Sequence, residues 1–357
     1  MAPTPQLQAE PSRPTGHASP KARAACAVAA LAALLVIAGC GSSSAEPAAK
    51  PRGPSSAALR QQLAAATNVT PGAFPAAAGR SLQQISDALG AAGPQLALAT
   101  SVVQVGKQQR LAFGVTDQGQ SFVYAPTVVY VARKKAKTAQ GPFPAPADLL
   151  ITDPPFRSRT AAAEKDVFAA IYDARVDFDE PGTYQVLAAS QINGRLVGSG
   201  NEIEVKRPGD VAIPDVGEPA PRVPTDTKAS AGGDIKAIET RVPPDSQHDV
   251  DLTDVIGKRP VALLFATPGL CESRVCGPVV DIAEQLKRRY GDRVAFIHQE
   301  VFVDNRIEKG LRPPLRAFKL QTEPWLFTLD RTGKIAARLE GSFGFRSFEE
   351  ALKAALR

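Results

Sequence analysis

The sequence predicts two folded domains, an all-β sandwich followed by an α/β domain, behind an N-terminal segment that does not fold. Three observations support this prediction. Residues 95–206 are rich in β-branched and aromatic side chains, and turn signals such as Asp-Glu-Pro-Gly separate the apolar runs. Residues 234–357 alternate between strand-like and helix-like patterns. A segment rich in proline and glycine lies between the two parts, and 357 residues suffice for two hydrophobic cores.

The first 39 residues have the composition of an export signal. Basic residues precede an apolar run over residues 24–38, which is shorter than the roughly 20 residues that a membrane-spanning helix needs. The run ends in VIAGC, which resembles the bacterial lipobox. The resemblance implies that residues 1–39 are a lipoprotein signal peptide and that Cys40 carries the lipid, with palmitate as an acyl group. The alternatives to a lipoprotein are an ordinary secreted protein and a protein whose signal segment stays uncleaved as a membrane anchor.

Residues 40–85 are rich in Ala, Pro, Ser and Gly and predict a flexible tether, with helical character only in LRQQLAAA. The β-sandwich is expected over residues 86–207. Its string DFDEPGTYQV resembles a corner of immunoglobulin-like domains, in which Tyr184 would hold the turn. This domain contains no Cys and no His, so we expect a spacer or docking module without a catalytic role. A fragment that begins near Asp234 should then fold alone and keep the thiol chemistry.

The α/β domain is expected over residues 234–357, after a Pro/Gly-rich linker over residues 208–233. Its hairpin turns at residues 330–333, and Ser347, with Glu350 three residues later, predicts the start of the final helix. The strings that predict the order βαβαββα are VALLFA, VVDIAEQLKRRYG, RVAFIHQEVF, LRPPLRAFKL, the two strands of TEPWLFTLDRTGKIAARLEG, and SFEEALKAALR.

Two of the four cysteines lie in the N-terminal region, and since Cys40 would carry the lipid, Cys271 and Cys276 are the two unmodified cysteines expected in the mature chain. Both follow the first strand of the α/β domain and precede its first helix. The unpaired N–H groups of a helix N-terminus favour a thiolate, the form that exchanges disulfides. The pattern therefore predicts a redox pair, and the alternatives are a structural disulfide or two inert thiols. Export would place the pair in an oxidising compartment, where a disulfide can persist.

The last 120 residues or so resemble the thioredoxin superfamily. The resemblance rests on cysteines after the first buried strand, on Pro324 before the strand WLFTL, and on the DRTGKI hairpin. It implies a cis-proline at Pro324 that faces the cysteines and, with Glu323 before it, helps to hold an extended substrate. It also implies exchange through a disulfide between Cys271 and Cys276.

The spacing of the cysteines departs from that family, because four residues separate them instead of two. The string TPG before Leu270 and Cys271, with a second cysteine five positions on, resembles the bacterioferritin-comigratory peroxiredoxins, although their proline and arginine have no evident counterpart here. The buried acid that thioredoxins carry in the preceding strand is also missing. We expect a thiol–disulfide oxidoreductase. The alternatives are a thiol peroxidase, or a non-enzymatic scaffold lipoprotein or metallochaperone with a structural disulfide.

The two resemblances imply that Cys271 attacks and Cys276 resolves, since the first cysteine is the nucleophile in both families. The string Cys276-Gly277-Pro278 resembles the thioredoxin motif and supports the reverse assignment. Glu323 is a candidate acid or base, or otherwise a solvated carboxylate.

Charge and composition limit the classes of partner that the sequence predicts. The formal charge is +6, of which the signal region contributes +2, so the mature chain is near +4 and has no dense basic block. We therefore expect no nucleic acid, and instead extracytoplasmic protein thiols or disulfides, with the membrane reached through the lipid. We expect no cofactor and no metal. A copper site of the two cysteines with His298 is the alternative, against a packed or hydrogen-bonded His298.

Overall fold

The computed structural model describes residues 56–89, 93–117, 121–160, 168–271 and 275–357. All of them belong to one compact unit, Gly53–Arg357. The predicted signal peptide and the lipid-attachment residue Cys40 lie outside the described residues. Within the described part of the chain, no helix has the length and apolar character needed to cross a membrane.

Two sheets face each other in the N-terminal half, where the sequence predicts a sandwich. Their facing side chains form one core, to which Phe113 and Tyr172 contribute from one sheet and Val129 and Val186 from the other. The first sheet has the order β1 (Gln95–Leu98), β3 (Gly106–Thr116), β7 (Ala170–Phe178) and β6 (Ala147–Leu149). The second has the order β2 (Val103–Gln104), β9 (Arg195–Lys206), β8 (Gly182–Ile192), β4 (Thr127–Arg133) and β5 (Gln140–Pro144).

Tyr184 holds a corner of this sandwich, as the immunoglobulin-like resemblance implies. Its hydroxyl donates a hydrogen bond to the carbonyl oxygen of Glu180 at 3.0 Å. Its ring packs edge-on against Phe178, with 5.0 Å between the ring centroids. These two contacts fix the turn that leads into β8.

The segment predicted as a flexible tether is folded from Ser56 onward, which corrects that prediction. Helix α1 (Ser56–Thr67) places Leu63 and Ala66 in the sandwich core, and helix α2 (Leu82–Ala88) buries Ile85 against the outer face of the second sheet. Leucine and alanine at helical spacing supply this apolar stripe. In a segment this rich in alanine, apolar residues occur on every face of a helix, so composition alone does not reveal the buried stripe.

The α/β unit, residues 234–357, has the predicted order of elements. Its sheet has the order β11, β10, β12, β13, in which β10 and β11 are parallel and the other pairs antiparallel. Its strands are β10 (Val261–Phe265), β11 (Ala295–Gln299), β12 (Trp325–Leu329) and β13 (Ile335–Glu340), and its helices are α3 (Leu252–Val255), α4 (Cys276–Tyr290), α5 (Pro313–Ala317) and α6 (Phe345–Ala355).

The predicted linker, residues 208–233, is packed onto the α/β unit. The backbone N–H groups of Gly217 and Ala220 donate to the carbonyl oxygens of Ile335 and Gly333, which extends the edge of the sheet. Further along, the Asp226 carboxylate forms a 2.6 Å ion pair with Arg312. This segment is therefore an integral edge of the α/β unit.

The sandwich and the α/β unit share a hydrophobic core. Leu150, Phe168 and Ile171 of the sandwich pack in the same cluster as Leu339 and Phe343. A core that takes side chains from both parts argues against the expectation that residues from Asp234 onward fold alone.

Polar contacts reinforce this interface. The guanidinium of Arg110, in β3, donates to the carbonyl oxygens of Glu340 at 2.7 Å and Ser342 at 2.6 Å. It also forms a 2.7 Å ion pair with the buried Asp173. The ion pair lies within the sandwich, but the two hydrogen bonds to the carbonyl oxygens of the α/β unit would be lost if the two parts separated.

The final helix begins earlier than predicted, and its cap comes from the sandwich. Ser347 is the third residue of α6 and not its N-cap. The Asp148 carboxylate of β6 instead accepts hydrogen bonds from the backbone N–H groups of Gly344, Arg346 and Ser347, at 2.9–3.0 Å. A carboxylate at a helix N-terminus satisfies the free amides and the helix dipole together.

Candidate redox site

The two cysteines flank the junction between β10 and α4. Residues 266–271 form the turn, in which the Leu270 N–H donates to the Thr267 carbonyl and the Gly269 N–H donates to the Thr240 hydroxyl at 2.8 Å. The described helix begins at Cys276, and Pro278 falls in its first turn, where proline costs no hydrogen bond. Cys271 therefore lies in the turn and Cys276 at the helix N-terminus.

The two thiols differ in exposure. The disulfide expected between them is not formed in this structure; Cys271 is half-buried and Cys276 has no exposed surface. Burial raises the pKa of the Cys276 thiol well above its usual value, and a hydrogen bond between the two cysteine side chains raises it further. A buried thiol beside an accessible one fits the roles of resolving and attacking thiol.

A carboxyl group lies next to the buried thiol. The Cys276 thiol donates to Oε2 of Glu323, with 3.5 Å between Sγ and the oxygen. Burial raises the pKa of Glu323 to about 7, and the nearby Cys271 contributes to this increase. A carboxyl group that is half ionised near neutral pH can both accept and return the proton of a thiol.

The cis-peptide bond implied by the thioredoxin resemblance is present between Glu323 and Pro324, immediately before β12. The structure thus brings together the four predicted residues Cys271, Cys276, Glu323 and Pro324. Trp325, which follows Pro324, is a core residue: its side chain is buried and its indole N–H donates to the Thr322 hydroxyl at 2.9 Å.

His298 is engaged away from the cysteines. Its Nδ1 lies 2.8 Å from the Asp245 carboxylate and its Nε2 lies 3.0 Å from the Ala266 carbonyl oxygen. The possible metal ligands grouped around His298 among the described residues include neither cysteine, which disfavours a copper site of His298 with the two cysteines.

Sequence reasoning missed a cavity beside the cysteines. It has a volume of about 500 Å³ and a mainly apolar lining. Val275, just before α4, and Glu323 line it from the α/β unit, while Phe122, Phe168 and Ile171 line it from the sandwich. The sandwich therefore contributes directly to the surroundings of the site. The sequence offers no signal for this, because the contributing side chains are ordinary core residues of a β-domain.

No protein-family model and no curated protein matches the sequence. Among solved structures, the chain is similar to a protein named as the thiol:disulfide interchange protein DsbE of Chlorobium tepidum, at 18% identity over 40% of this chain and 99% of that one, with a TM-score of 0.30. A thioredoxin-family thiol:disulfide interchange protein of Chlorobium tepidum TLS matches at 16% identity over 39% of this chain and 96% of that one, with a TM-score of 0.28.

The comparison also finds the PKD domain of the human VPS10 domain-containing receptor SorCS2. The identity is 14%, the match covers 32% of this chain and 74% of that domain, and the TM-score is 0.17. The chain is thus similar to thioredoxin-family proteins over about 40% of its length and to PKD domains over about a third of it.

Proposed function

We propose that the protein is an extracytoplasmic, membrane-anchored thiol–disulfide oxidoreductase that acts through Cys271 and Cys276. One observation carries the proposal: three groups lie together at one strand-to-helix junction. They are the accessible thiol of Cys271, the buried thiol of Cys276 that is hydrogen-bonded to it, and the carboxyl group of Glu323 that is hydrogen-bonded to Cys276. Each of these groups has a necessary task in disulfide exchange. An inert structural pair would need neither the difference in exposure nor the carboxyl group.

The first step forms a mixed disulfide. The Cys271 thiolate attacks one sulfur of a partner disulfide, the partner S–S bond breaks, and its electron pair leaves on the other sulfur, which takes up a proton. The half-buried position of Cys271 admits the partner, whereas the buried Cys276 is out of reach.

The second step releases the partner. Cys276 gives its proton to Glu323, and the resulting thiolate attacks the sulfur of Cys271. The Cys271–Cys276 disulfide forms, the mixed disulfide breaks, and the departing partner sulfur takes up a proton. Two electrons and two protons have then passed from the protein to its partner, and the reverse sequence oxidises a partner dithiol.

The anchoring and the partners follow from the sequence. The lipobox-like string supports lipid attachment at Cys40, and an oxidising compartment supports protein thiols or disulfides as partners. Metabolic labelling with a fatty acid tests the anchor, because Cys40→Ser should be neither labelled nor retained in the membrane fraction.

The reduction potential of the pair tests the proposed function. We expect the full-length protein, equilibrated with glutathione mixtures and probed by thiol labelling, to form one internal disulfide with a potential above about −300 mV. A much lower potential would indicate a structural disulfide that partners cannot use. Failure to form any disulfide would also contradict the proposal.

Glu323→Gln should slow the second step and remove its dependence on pH near 7. The carboxyl group is a base only when ionised, so the wild-type rate of that step should rise as the pH passes through about 7. Without the base we expect a loss of about tenfold or more. Reaction with an aromatic disulfide reagent measures both steps, because each releases one equivalent of coloured thiolate.

The matched control for this variant is Glu308→Gln, which changes an exposed carboxylate paired with Arg306. It should leave the rates of both steps unchanged. An inflection near pH 7 that persists in Glu323→Gln would show that another group accepts the proton.

A further inference from the structure

Four side chains that disulfide exchange does not use converge behind the cysteine turn. Glu239, Asp245, His248 and His298 are all buried, and one potential ligand atom of each lies within 4.8 Å of those of the other three. His298 lies in β11, and the other three belong to the segment over residues 239–248 that packs against the end of this strand. This cluster is not the copper site considered from the sequence, because it contains neither cysteine.

The orientation of His298 requires a positive charge between its Nδ1 and the two carboxylates. A carbonyl oxygen only accepts hydrogen bonds, so Nε2 must carry the proton that it shares with Ala266. Nδ1 then faces Oδ2 of Asp245 at 2.8 Å and Oε2 of Glu239 at 3.6 Å. A nitrogen lone pair would face carboxylate lone pairs at these distances. Either a proton or a metal ion must therefore lie between Nδ1 and the two carboxylates.

Charge balance favours the metal ion. Nε2 of His248 lies 3.1 Å from Glu239 and 3.5 Å from Asp245, while its Nδ1 is buried and has no partner among the described residues. A second proton on His248 would bury a cationic ring whose Nδ1–H has no acceptor, which costs more than the neutral Nδ1–H that the ring would keep as a metal ligand. One proton, on His298, then faces two carboxylates, and the cluster keeps a net charge of −1. A divalent ion with two neutral histidines brings it to zero.

Hydrogen bonds from the surroundings fix both carboxylates and His298 in the way that metal ligands are usually fixed. Backbone N–H groups fix both carboxylates, with Arg241 donating to Glu239 at 2.7 Å and Gln247 donating to Asp245 at 2.8 Å. A histidine ligand typically donates its other ring N–H to a carbonyl group, as His298 does, whereas Nδ1 of His248 has no such partner among the described residues. Tetrahedral zinc places neighbouring ligand atoms about 3.4 Å apart. The four nitrogen–oxygen separations between the histidines and the carboxylates, 2.8–3.6 Å, lie around that value, and all four ligand atoms lie within 4.8 Å of one another.

We propose that Glu239, Asp245, His248 and His298 bind one divalent transition-metal ion, with zinc as the best fit to two nitrogen and two oxygen ligands. The ion would hold residues 239–248 against the end of β11. From there, the Thr240 hydroxyl donates to Glu300 at 2.7 Å and accepts the Gly269 N–H of the cysteine turn. The site would thus stabilise residues 239–248, on which the cysteine turn rests, and the proposal departs from the sequence expectation of a protein without metal.

Metal content and thermal stability of the full-length protein test this site. We expect about one equivalent of zinc after dialysis against zinc and then metal-free buffer. We also expect a Tm increase of about 5 °C or more at a hundredfold excess over Kd. His248→Gln removes one ligand at similar volume and should lose both effects. The Cys271→Ser/Cys276→Ser double variant should keep both, which separates this site from metal bound by thiols.

Cobalt substitution provides a second measurement, which uses the wild-type protein and therefore does not require any variant to fold. Cobalt in this site should give the visible absorption of a tetrahedral ion without the near-ultraviolet band of a cobalt–thiolate bond. If the wild-type protein takes up neither zinc nor cobalt and its Tm does not respond, the cluster is a protonated ion pair and the proposal fails. Metal retained by His248→Gln but lost by the double cysteine variant would overturn it as well.

Discussion

Cys276→Ser should hold partners covalently on Cys271, whereas Cys271→Ser should accumulate none, and both variants should lose turnover completely. The reason is the difference in exposure: only Cys271 can meet a partner, and only Cys276 lies where it can release one. Non-reducing gels of membrane fractions from cells that produce each full-length variant would show the mixed disulfides as bands that a reductant removes. The double variant, with no thiol at the site, is the control.

Other outcomes of this experiment distinguish the remaining functions. Trapping by Cys271→Ser alone would make Cys276 the nucleophile, as the Cys276-Gly277-Pro278 string suggested. No trapping by either variant would favour a structural disulfide. A peroxidase would instead oxidise Cys271 to a sulfenic acid with hydrogen peroxide, in the absence of any protein partner.

The acid–base arrangement shows how a local sequence signal can point to a site. Thioredoxins carry their acid in the strand before the cysteines, where this chain has only apolar residues. The carboxyl group nearest the buried thiol is instead that of Glu323, just before β12, the strand that pairs directly with β10. The sequence allowed Glu323 to be named, because Pro324 was recognisable from the strand that follows it. Its hydrogen bond to Cys276 and its pKa of about 7 depend on burial, which cannot be read from the amino-acid sequence.

The predicted elements of the α/β unit were correct for a similar reason. Buried strands, a proline-started helix and an Asp-to-Gly hairpin turn are determined by residues close together in the chain. The part played by the sandwich was not predictable, because it depends on residues far apart. Asp148 lies about 200 positions before the helix that it caps. Within the string ADLLITD, it has the pattern of an ordinary exposed acid at the end of a strand.

The four-residue cluster could not be predicted either, because His298 is also far in the chain from the other three members. His298 was recognised as a possible metal ligand, but its neighbours Glu239 and Asp245 lie more than 50 positions earlier, in a segment with no regular periodicity. Only the packing of that segment against β11 brings the carboxylates to the histidine. Sequence reasoning therefore linked His298 to the cysteines, the nearest residues with known chemistry.

Asp148→Ala should lower the free energy of unfolding of the whole described unit by about 3 kcal/mol. The carboxylate is 1% exposed and accepts hydrogen bonds from three amides at the start of α6. Losing a helix N-cap costs about 1 kcal/mol, and each buried amide left without a partner adds about 1–3 kcal/mol unless water replaces it. Water has little access here, because even a Cβ on Gly344 would collide with the carbonyl oxygen of Leu149.

Urea unfolding followed by circular dichroism and by labelling of the Cys276 thiol would measure this effect. Because Cys276 packs in the core shared by the two parts, both signals should move to the same lower midpoint. The matched control is Asp153→Ala, which removes an exposed carboxylate that binds Gln285 across the same interface and should cost less than about 1 kcal/mol. If labelling of Cys276 kept its wild-type midpoint while the circular dichroism shifted, the α/β unit would be stable without the sandwich. Coincident shifts would instead mean that the sandwich is a condition for the redox site, since the helix that Asp148 caps packs in the same core as the buried thiol.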